Sequence, residues 1–119
     1  MTSLTFRSTF SLCALALLCM AAPACGQTVE EGEAIFKTRC FVCHGVNADG
    51  KSDLARIMRP PPANLRASRL TDEERATIVR KGGAAVGRSS NMPVWEQELN
   101  EHELLAVLSY VRSIKGTAQ

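Results

Sequence analysis

The chain has 119 residues, which is enough for one domain and too few for two of ordinary size. Its composition is 45% hydrophobic and 22% charged, with 8 glycines and 5 prolines, and this excludes disordered, collagen-like and coiled-coil proteins. The formal net charge of +2 excludes a strongly basic nucleic-acid-binding protein, so no nucleic-acid partner is expected. Only 5% of the residues are aromatic. Because that makes a thin core, we expect something other than side chains to complete it.

The N-terminal segment has the pattern of an export signal. Arg7 precedes a 13-residue apolar run over residues 10–22, and Ala22-Pro23-Ala24 matches an A-x-A cleavage site. The run is shorter than the roughly 20 residues that a membrane-spanning helix needs, although an uncleaved anchor is the alternative. We therefore predict a signal peptide over residues 1–26, a mature domain over residues 27–119, and a periplasmic location.

The 5 cysteines divide between these two parts. Cys13 and Cys19 lie in the predicted signal peptide, and Cys25 lies at the predicted cleavage site. Lipidation of Cys25 would tether the chain to a membrane, but the residues before it are a poor lipobox, so an ordinary cysteine near the cut is favoured. We expect membrane contact only from a lipidated Cys25 or an uncleaved signal. Cys40 and Cys43 remain in the mature domain, and they are too close together in sequence for a disulfide between them to stabilise the fold.

Capping patterns mark three helix starts. A short polar residue is followed three positions later by a carboxylate at Thr28, Thr71 and Asn100. Gly82 and Gly116, each after a lysine, predict two helix ends.

A shorter helical turn is predicted over residues 52–58, because the prolines at 60–62 disfavour a longer helix. No window alternates as a strand does, so the predicted fold class is all-α with long loops.

Cys40-Phe41-Val42-Cys43-His44 is a C-x-x-C-H run, the attachment signature of c-type haem. On a helical turn, residues three and four apart share a face. Both thiols can therefore bond to the two vinyl groups of one porphyrin edge, while His44 ligates the iron. A thioredoxin-like dithiol would lie next to a βαβ pattern and would not need His44. A structural zinc site would need two more ligands, and His102 is the only other histidine.

With this motif and others in order, the chain resembles the class I c-type cytochromes over residues 28–115. The residues that carry the resemblance are Gly32, Phe36, 40–45, 60–65, 92–95 and 108–112. The resemblance implies an all-α cytochrome c fold of three to five helices wrapped around one covalently bound haem. It also implies a carrier of single electrons between exported redox partners, a donor and an acceptor that bind transiently, with no catalytic residues. The alternatives are a haem subunit of a dehydrogenase or reductase complex, and a peroxidase-like catalyst.

The sixth iron ligand must come from a distant segment, and the mature domain contains two methionines. Met58 lies in the predicted short helix, where methionine is more often core filler. Met92 follows a loop rich in glycine and alanine and precedes Pro93, so its thioether can reach iron without helical constraints. Met92 also matches the family's Met-Pro pattern. We predict ligation by His44 and Met92, with Met58, His102 and an open site as alternatives. Peroxidase-like activity would require Met92 to dissociate, and His102 is expected to be exposed to solvent.

The resemblance assigns three more haem-pocket residues. A ligating histidine usually donates its second ring nitrogen to a carbonyl. The family uses a proline carbonyl, here one of residues 60–62, and we name Pro61. Asn64 and Trp95 correspond to family positions near the haem propionates, while packing alone is the alternative for Trp95.

Two further expectations concern packing and charge. A glycine inside an exposed helix costs about 1 kcal/mol, so Gly32 predicts close approach of another backbone. The family places the crossing of the first and last helices there, with Phe36 and Tyr110; a tolerated surface glycine is the alternative. Residues 51–90 hold nine Lys and Arg against four Asp and Glu. This surplus predicts a basic docking face around the haem edge, or else charges that are simply solvated.

Overall fold

The computed structural model describes residues 28–116. Its helices are α1 (Val29–Ile35), α2 (Phe41–His44), α3 (Asp72–Lys81) and α4 (Glu101–Ser113); a π-helical stretch, Phe36–Cys40, joins α1 to α2, and 3-10 turns cover Leu54–Arg56 and Ala84–Val86. Over the described range no residue is in a strand, which confirms the all-α prediction. The predicted signal peptide and Cys25 lie outside the described residues.

Each of the three predicted helix starts is found in the structure. The Thr28 hydroxyl accepts a hydrogen bond from the Glu31 amide at 3.0 Å at the start of α1. Reciprocal capping boxes begin α3, at Thr71, and α4, at Asn100. In each box the side chain of the cap and the carboxylate three residues later satisfy backbone amides that have no partner inside the helix. Local chemistry alone therefore sets where these helices begin.

The helix ends depend more on the rest of the fold. Gly82 ends α3 with φ of 78°, as predicted. The last helix, α4, ends at Ser113, before the predicted stop at Gly116. The Gly116 amide donates instead to the Arg66 carbonyl at 2.9 Å. This contact joins the segment after α4 to a loop that is distant in sequence.

The predicted helical turn over residues 52–58 is shorter than expected, a single 3-10 turn over Leu54–Arg56. The Ser52 hydroxyl accepts from the Ala55 amide at 2.9 Å and donates to the Cys43 carbonyl at 3.0 Å. The side chain of Ser52 thus caps the turn and ties it to the end of α2.

The crossing of α1 and α4 forms as predicted. A Cβ atom built on Gly32 would lie 2.0 Å from the carbonyl oxygen of Ala106 on α4, so only glycine fits without displacement. Next to this contact the Phe36 and Tyr110 rings pack with centroids 5.3 Å apart. Phe36 is fully buried. Gly32 is therefore a packing residue rather than a tolerated surface glycine.

The hydrophobic core lies along α4 and the π-helical stretch. Its buried members are Phe36, Ala48, Leu99, Leu104, Val107, Leu108 and Val111. Complete burial of a large apolar side chain contributes about 1.5 to 3 kcal/mol. Most of these core residues also form part of the wall of a cavity. Among residues 28–116 there is no helix with the length and apolar character needed to span a bilayer.

Candidate functional site

The cysteine pair lies where the π-helical stretch meets α2. Cys40 is the last residue of that stretch, and Cys43 lies on α2. Both side chains are partly buried free thiols, so no disulfide joins them. Burial raises the pKa of Cys40 to about 11, and the neighbouring Cys43 thiol adds to the shift. The Cys40 thiol is therefore protonated at neutral pH, and both sulfurs are free to form covalent bonds to a ligand.

Two adjoining cavities open beside these cysteines. Their volumes are about 430 Å³ and about 310 Å³, within the range typical of cofactor sites. The residues that line both cavities are Cys40, His44, Ala63, Arg88, Met92 and Trp95. Much of the wall of the larger cavity comes from the core, including Phe36, Leu99 and Val107. The two predicted iron ligands therefore border the same apolar space.

A backbone carbonyl orients the His44 ring. Its Nδ1 atom lies 3.0 Å from the Ala63 carbonyl oxygen. When Nδ1 carries the hydrogen and donates it there, the Nε2 lone pair is left free. Burial lowers the pKa of His44, and the hydrogen bond to Ala63 opposes this only in part. A neutral imidazole held by one nitrogen is the form that ligates a metal through the other.

The identity of this carbonyl corrects one expectation. The partner of His44 is Ala63 and not one of the prolines at 60–62 that precede it. A proline is not needed, because every residue carries the same backbone acceptor. The Leu65 amide donates to the Ala48 carbonyl at 2.8 Å, and this contact holds the segment after the prolines beside α2. Pro61 lines the smaller cavity.

The Met92 loop folds back onto the end of α3. The Gly83 amide donates to the Met92 carbonyl at 3.0 Å, and the Met92 amide donates to the Ser89 carbonyl at 3.2 Å. A Cβ atom on Gly83 would lie 2.2 Å from the Ser89 carbonyl oxygen. On Gly82 it would lie 3.0 Å from the Met92 carbonyl oxygen. The two glycines therefore provide the space that lets Met92 border both cavities.

Asn64 and Trp95 both lie at the cavities. Asn64 lines the larger one, and its Oδ1 accepts from the amides of Arg66 at 3.0 Å and Ala67 at 3.1 Å, so its side chain shapes the loop. Trp95 is partly buried, packs against the core and lines both cavities. Its amide donates to the Val79 carbonyl at 3.1 Å, which ties the segment after Met92 to α3.

Two interpretations of single residues are wrong. Met58 is not core filler: the neighbouring Ile57 is 76% exposed, and Met58 is partly buried against the smaller cavity. The 3-10 turn ends at Arg56, so Met58 lies outside the helical turn predicted for it. His102 is not freely exposed, because its Nδ1 lies 3.1 Å from Glu31 Oε1 and links α4 to α1. His102 lines neither of the two cavities.

The described residues do not support a zinc site or a thioredoxin-like dithiol at the cysteine pair. Within residues 28–116, no three His, Cys, Asp or Glu side chains are grouped so that they could hold a metal ion. A four-ligand zinc site thus lacks its ligands in that part of the chain. The described residues also contain none of the strands of a βαβ unit, which the dithiol alternative requires.

Sequence reasoning missed the charged residues in the wall of the larger cavity. They are Arg69, Glu74, Arg75 and Arg88. Arg75, Ile78 and Val79 follow an i, i+3, i+4 spacing, which places them on one helical face. That periodicity in α3 was a usable signal that Arg75 faces inward.

Comparison with known proteins identifies the family. The family whose sequence pattern matches the chain is Cytochrome c, over residues 29–115. The cbb3-type cytochrome c oxidase subunit CcoP of Azospirillum brasilense is 28% identical over 87 residues, which cover 73% of this chain and 28% of that protein. The subunit FixP of Bradyrhizobium diazoefficiens is 28% identical over 97 residues, covering 76% of this chain and 29% of that protein. The chain thus spans less than a third of the length of these curated relatives.

A solved structure, the Kuenenia stuttgartiensis reducing HAO-like protein complex, is also similar. It superimposes with a TM-score of 0.63 and 27% identity over 74% of this chain and 43% of that chain. The described residues fit a covalent haem: they offer two free thiols, a histidine with Nε2 available, a methionine bordering the same space and a mainly apolar wall. The chain belongs to the cytochrome c family and is an electron-carrying protein whose cofactor is haem c.

Proposed function

We propose that this protein is a monohaem cytochrome in which Cys40 and Cys43 would hold the haem through thioether bonds and His44 and Met92 would ligate its iron. The observation that carries this proposal is that His44 and Met92 line the same two cavities from separate segments, with His44 Nε2 free. The bound haem supplies the reversible one-electron change of its iron.

The role of the chain is to position the two proposed iron ligands. The Ala63 carbonyl fixes the His44 ring, and the hydrogen bond from Gly83 fixes the Met92 backbone. A methionine ligand favours the ferrous state and raises the reduction potential relative to a second histidine. If His44 and Met92 both ligated the iron, a substrate would find no free position on it, and this supports a carrier rather than an enzyme.

The redox partners are proposed to bind transiently in the periplasm. A shuttle must dissociate after each transfer, which favours a small interface. The N-terminal apolar run followed by an A-x-A pattern supports export. Arg39 and Arg88 are exposed and line the smaller cavity, so they give the haem edge a basic border. An acidic surface on the partner would match this border.

A second candidate function is an electron-transfer subunit of a larger complex. The names of the relatives favour it, because CcoP and FixP are oxidase subunits and the similar solved structure is a complex. In that case one partner stays bound instead of dissociating. The size of the native particle after gentle purification separates the two: a free carrier elutes as a small protein, and a subunit elutes with its complex.

The test of the proposed site combines mass and spectroscopy. The mature protein should weigh one haem more than its polypeptide, and the haem should resist acidified organic extraction. Sulfur ligation of ferric haem gives a weak near-infrared charge-transfer band, which should vanish in Met92→Ala and persist in the matched variant Met58→Leu. The reverse pattern would assign the ligand to Met58. If the unmodified protein binds carbon monoxide rapidly and turns over peroxide, it is a peroxidase-like catalyst and the carrier proposal is wrong.

A further inference from the structure

Arg75 on α3 is a buried cation with donors that find no acceptor. The residue is only 7% exposed. Its Nη1 donates to Asp72 Oδ1 at 2.7 Å, whereas Nε and Nη2 are buried without a hydrogen-bond partner. A buried donor on a charged group that is left without an acceptor destabilises the fold, because it has lost its hydrogen bonds to water and gained none in exchange. Such a guanidinium therefore indicates an acceptor that is not part of the chain.

Two spaces border Arg75, and their charges differ. One is the larger haem-side cavity, and the other is an outer groove of about 330 Å³ between α3 and α4. Besides Arg75, the charged residues of the groove are Asp72, Glu73 and Arg112. Those of the cavity are Arg69, Glu74 and Arg88. The cavity thus carries an excess of positive charge, and the groove does not, so an anion is favoured in the cavity.

The carboxylate that the cavity already contains is engaged elsewhere. Glu74 Oε2 accepts from the Thr71 amide at 2.7 Å, in the capping box of α3. Asp72 bridges α3 and α4, because its Oδ2 also accepts from Arg112 Nε at 2.7 Å. Asp72 thereby holds one end of the guanidinium and leaves the other two nitrogens unused. These nitrogens form one side of the fork that binds a carboxylate through two parallel hydrogen bonds.

We propose that Arg75 binds a haem propionate carboxylate through Nε and Nη2. This inference rests on the proposed function, since it requires haem in the larger cavity. A haem carries two propionates, so the cofactor itself supplies an anion of the required kind. The Arg75 charge would also oppose the extra positive charge of ferric iron and so raise the midpoint potential. Arg75 is then a cofactor-binding residue that also sets the potential.

A merely structural role for Arg75 makes a different prediction. Arg75→Met and Asp72→Asn break the same ion pair, so both should lower the unfolding temperature whichever role is correct. Their electrostatic effects on the iron are opposite. Arg75→Met removes a positive charge and should lower the midpoint potential, whereas Asp72→Asn removes the opposing negative charge and should raise it. Shifts of the same sign, or no shift, would show that the pair is only structural.

The experiment uses the holoprotein and its variants in redox titration and resonance Raman spectroscopy. The propionate bending band should shift in Arg75→Met and stay in place in Arg56→Met, whose exposed side chain pairs with Asp53 and lines neither cavity. Arg75→Lys keeps the charge and loses the fork, so it should shift the band while changing the potential less. It also provides a second variant if Arg75→Met does not fold.

An unshifted propionate band in both Arg75 variants would overturn the contact, even if the potential changes. The mass of Arg75→Met separates this failure from a failure of the proposed function. If the variant retains its covalent haem and its near-infrared band, the haem site stands and only the role of Arg75 is refuted. If the unmodified protein contains no covalent haem, both the proposed function and the proposed role of Arg75 are refuted.

Discussion

The Gly83 amide donates a hydrogen bond to the Met92 carbonyl at 3.0 Å, across the loop that follows α3. This contact joins the end of a helix, whose position is set by the core, to the segment that carries the predicted sulfur ligand. Next to it, the Met92 amide donates to the Ser89 carbonyl at 3.2 Å. The backbone of Met92 is therefore held on both sides before any bond to a metal forms. A preformed ligand position reduces the entropy lost when the sulfur binds.

Replacement of Gly83 by alanine should loosen this arrangement. The new Cβ would lie 2.2 Å from the Ser89 carbonyl oxygen and 3.1 Å from the Met92 Cβ, so the loop must move. We expect a weaker near-infrared band, and a loss of about 1 to 3 kcal/mol in unfolding free energy as in other overpacked sites. Absorption spectroscopy and denaturant titration of the ferric holoprotein measure the two effects.

The control is Ala85→Ser, at an exposed position in the same loop. It should change neither the band nor the stability by more than about 0.5 kcal/mol. A Gly83→Ala protein with the spectrum of the unmodified protein would mean that the loop tolerates the extra carbon and that Gly83 does not position Met92.

The crossing of α1 and α4 should be equally sensitive to one added methyl group. In Gly32→Ala the Cβ would lie 2.0 Å from the Ala106 carbonyl oxygen and 2.9 Å from the Tyr110 Cβ. Because the first of these atoms is backbone, relief requires the helices to separate. We expect a loss of about 1 to 3 kcal/mol. The thermal unfolding midpoint of the holoprotein reports this loss.

Ala34→Ser is the matched control, since Ala34 is exposed on the same helix. If Gly32→Ala and Ala34→Ser unfold at the same temperature, the close contact at Gly32 does not contribute to the stability of the protein. The haem spectrum of Gly32→Ala should stay normal, because Gly32 lines neither of the two cavities. A change in ligation would show that the helix crossing and the iron site are coupled.

Features that depend on a few neighbouring residues could be predicted from the sequence. The capping boxes at Thr71 and Asn100 are complete within four residues, and both were found. The Gly32 crossing was also predicted, because a glycine inside a helix destabilises it and therefore indicates that another backbone approaches closely. The end of α4 was not, because the Gly116 amide bonds to the Arg66 carbonyl. That partner lies in a loop whose path the sequence pattern does not reveal.

The site shows the same division. The Cys40 and His44 positions follow from a short motif, and the structure brings Met92 to the same cavities. The carbonyl that orients His44 belongs to Ala63 rather than a proline, since tertiary packing decides which of several identical acceptors faces the ring. Met58 borders the smaller cavity because the 3-10 turn ends at Arg56, so that Met58 lies outside the helical turn in which the sequence placed it. The roles of these residues at the iron stay predictions until the haem spectra are measured.

The last prediction concerns the basic border of the smaller cavity, Arg39 and Arg88. Small outer-sphere oxidants of opposite charge test it without a natural partner. If the border frames the haem edge, an anionic oxidant such as ferricyanide should oxidise the reduced protein more slowly as ionic strength rises. A cationic cobalt(III) complex should react faster under the same change, because screening removes a repulsion instead of an attraction. Screening acts over about 10 Å at 0.1 M.

Arg88→Gln should weaken both salt effects. One unit charge about 10 Å away in water is worth roughly 0.4 kcal/mol, so the rate with ferricyanide should fall at least about twofold at low salt. Arg56→Gln makes the same charge change at a residue that lines neither cavity, and it should have a smaller effect. Stopped-flow absorbance at several salt concentrations measures all of these rates. Equal slopes for the two oxidants, or equal effects of the two substitutions, would refute a docking face at the haem edge while leaving the electron-carrying function intact.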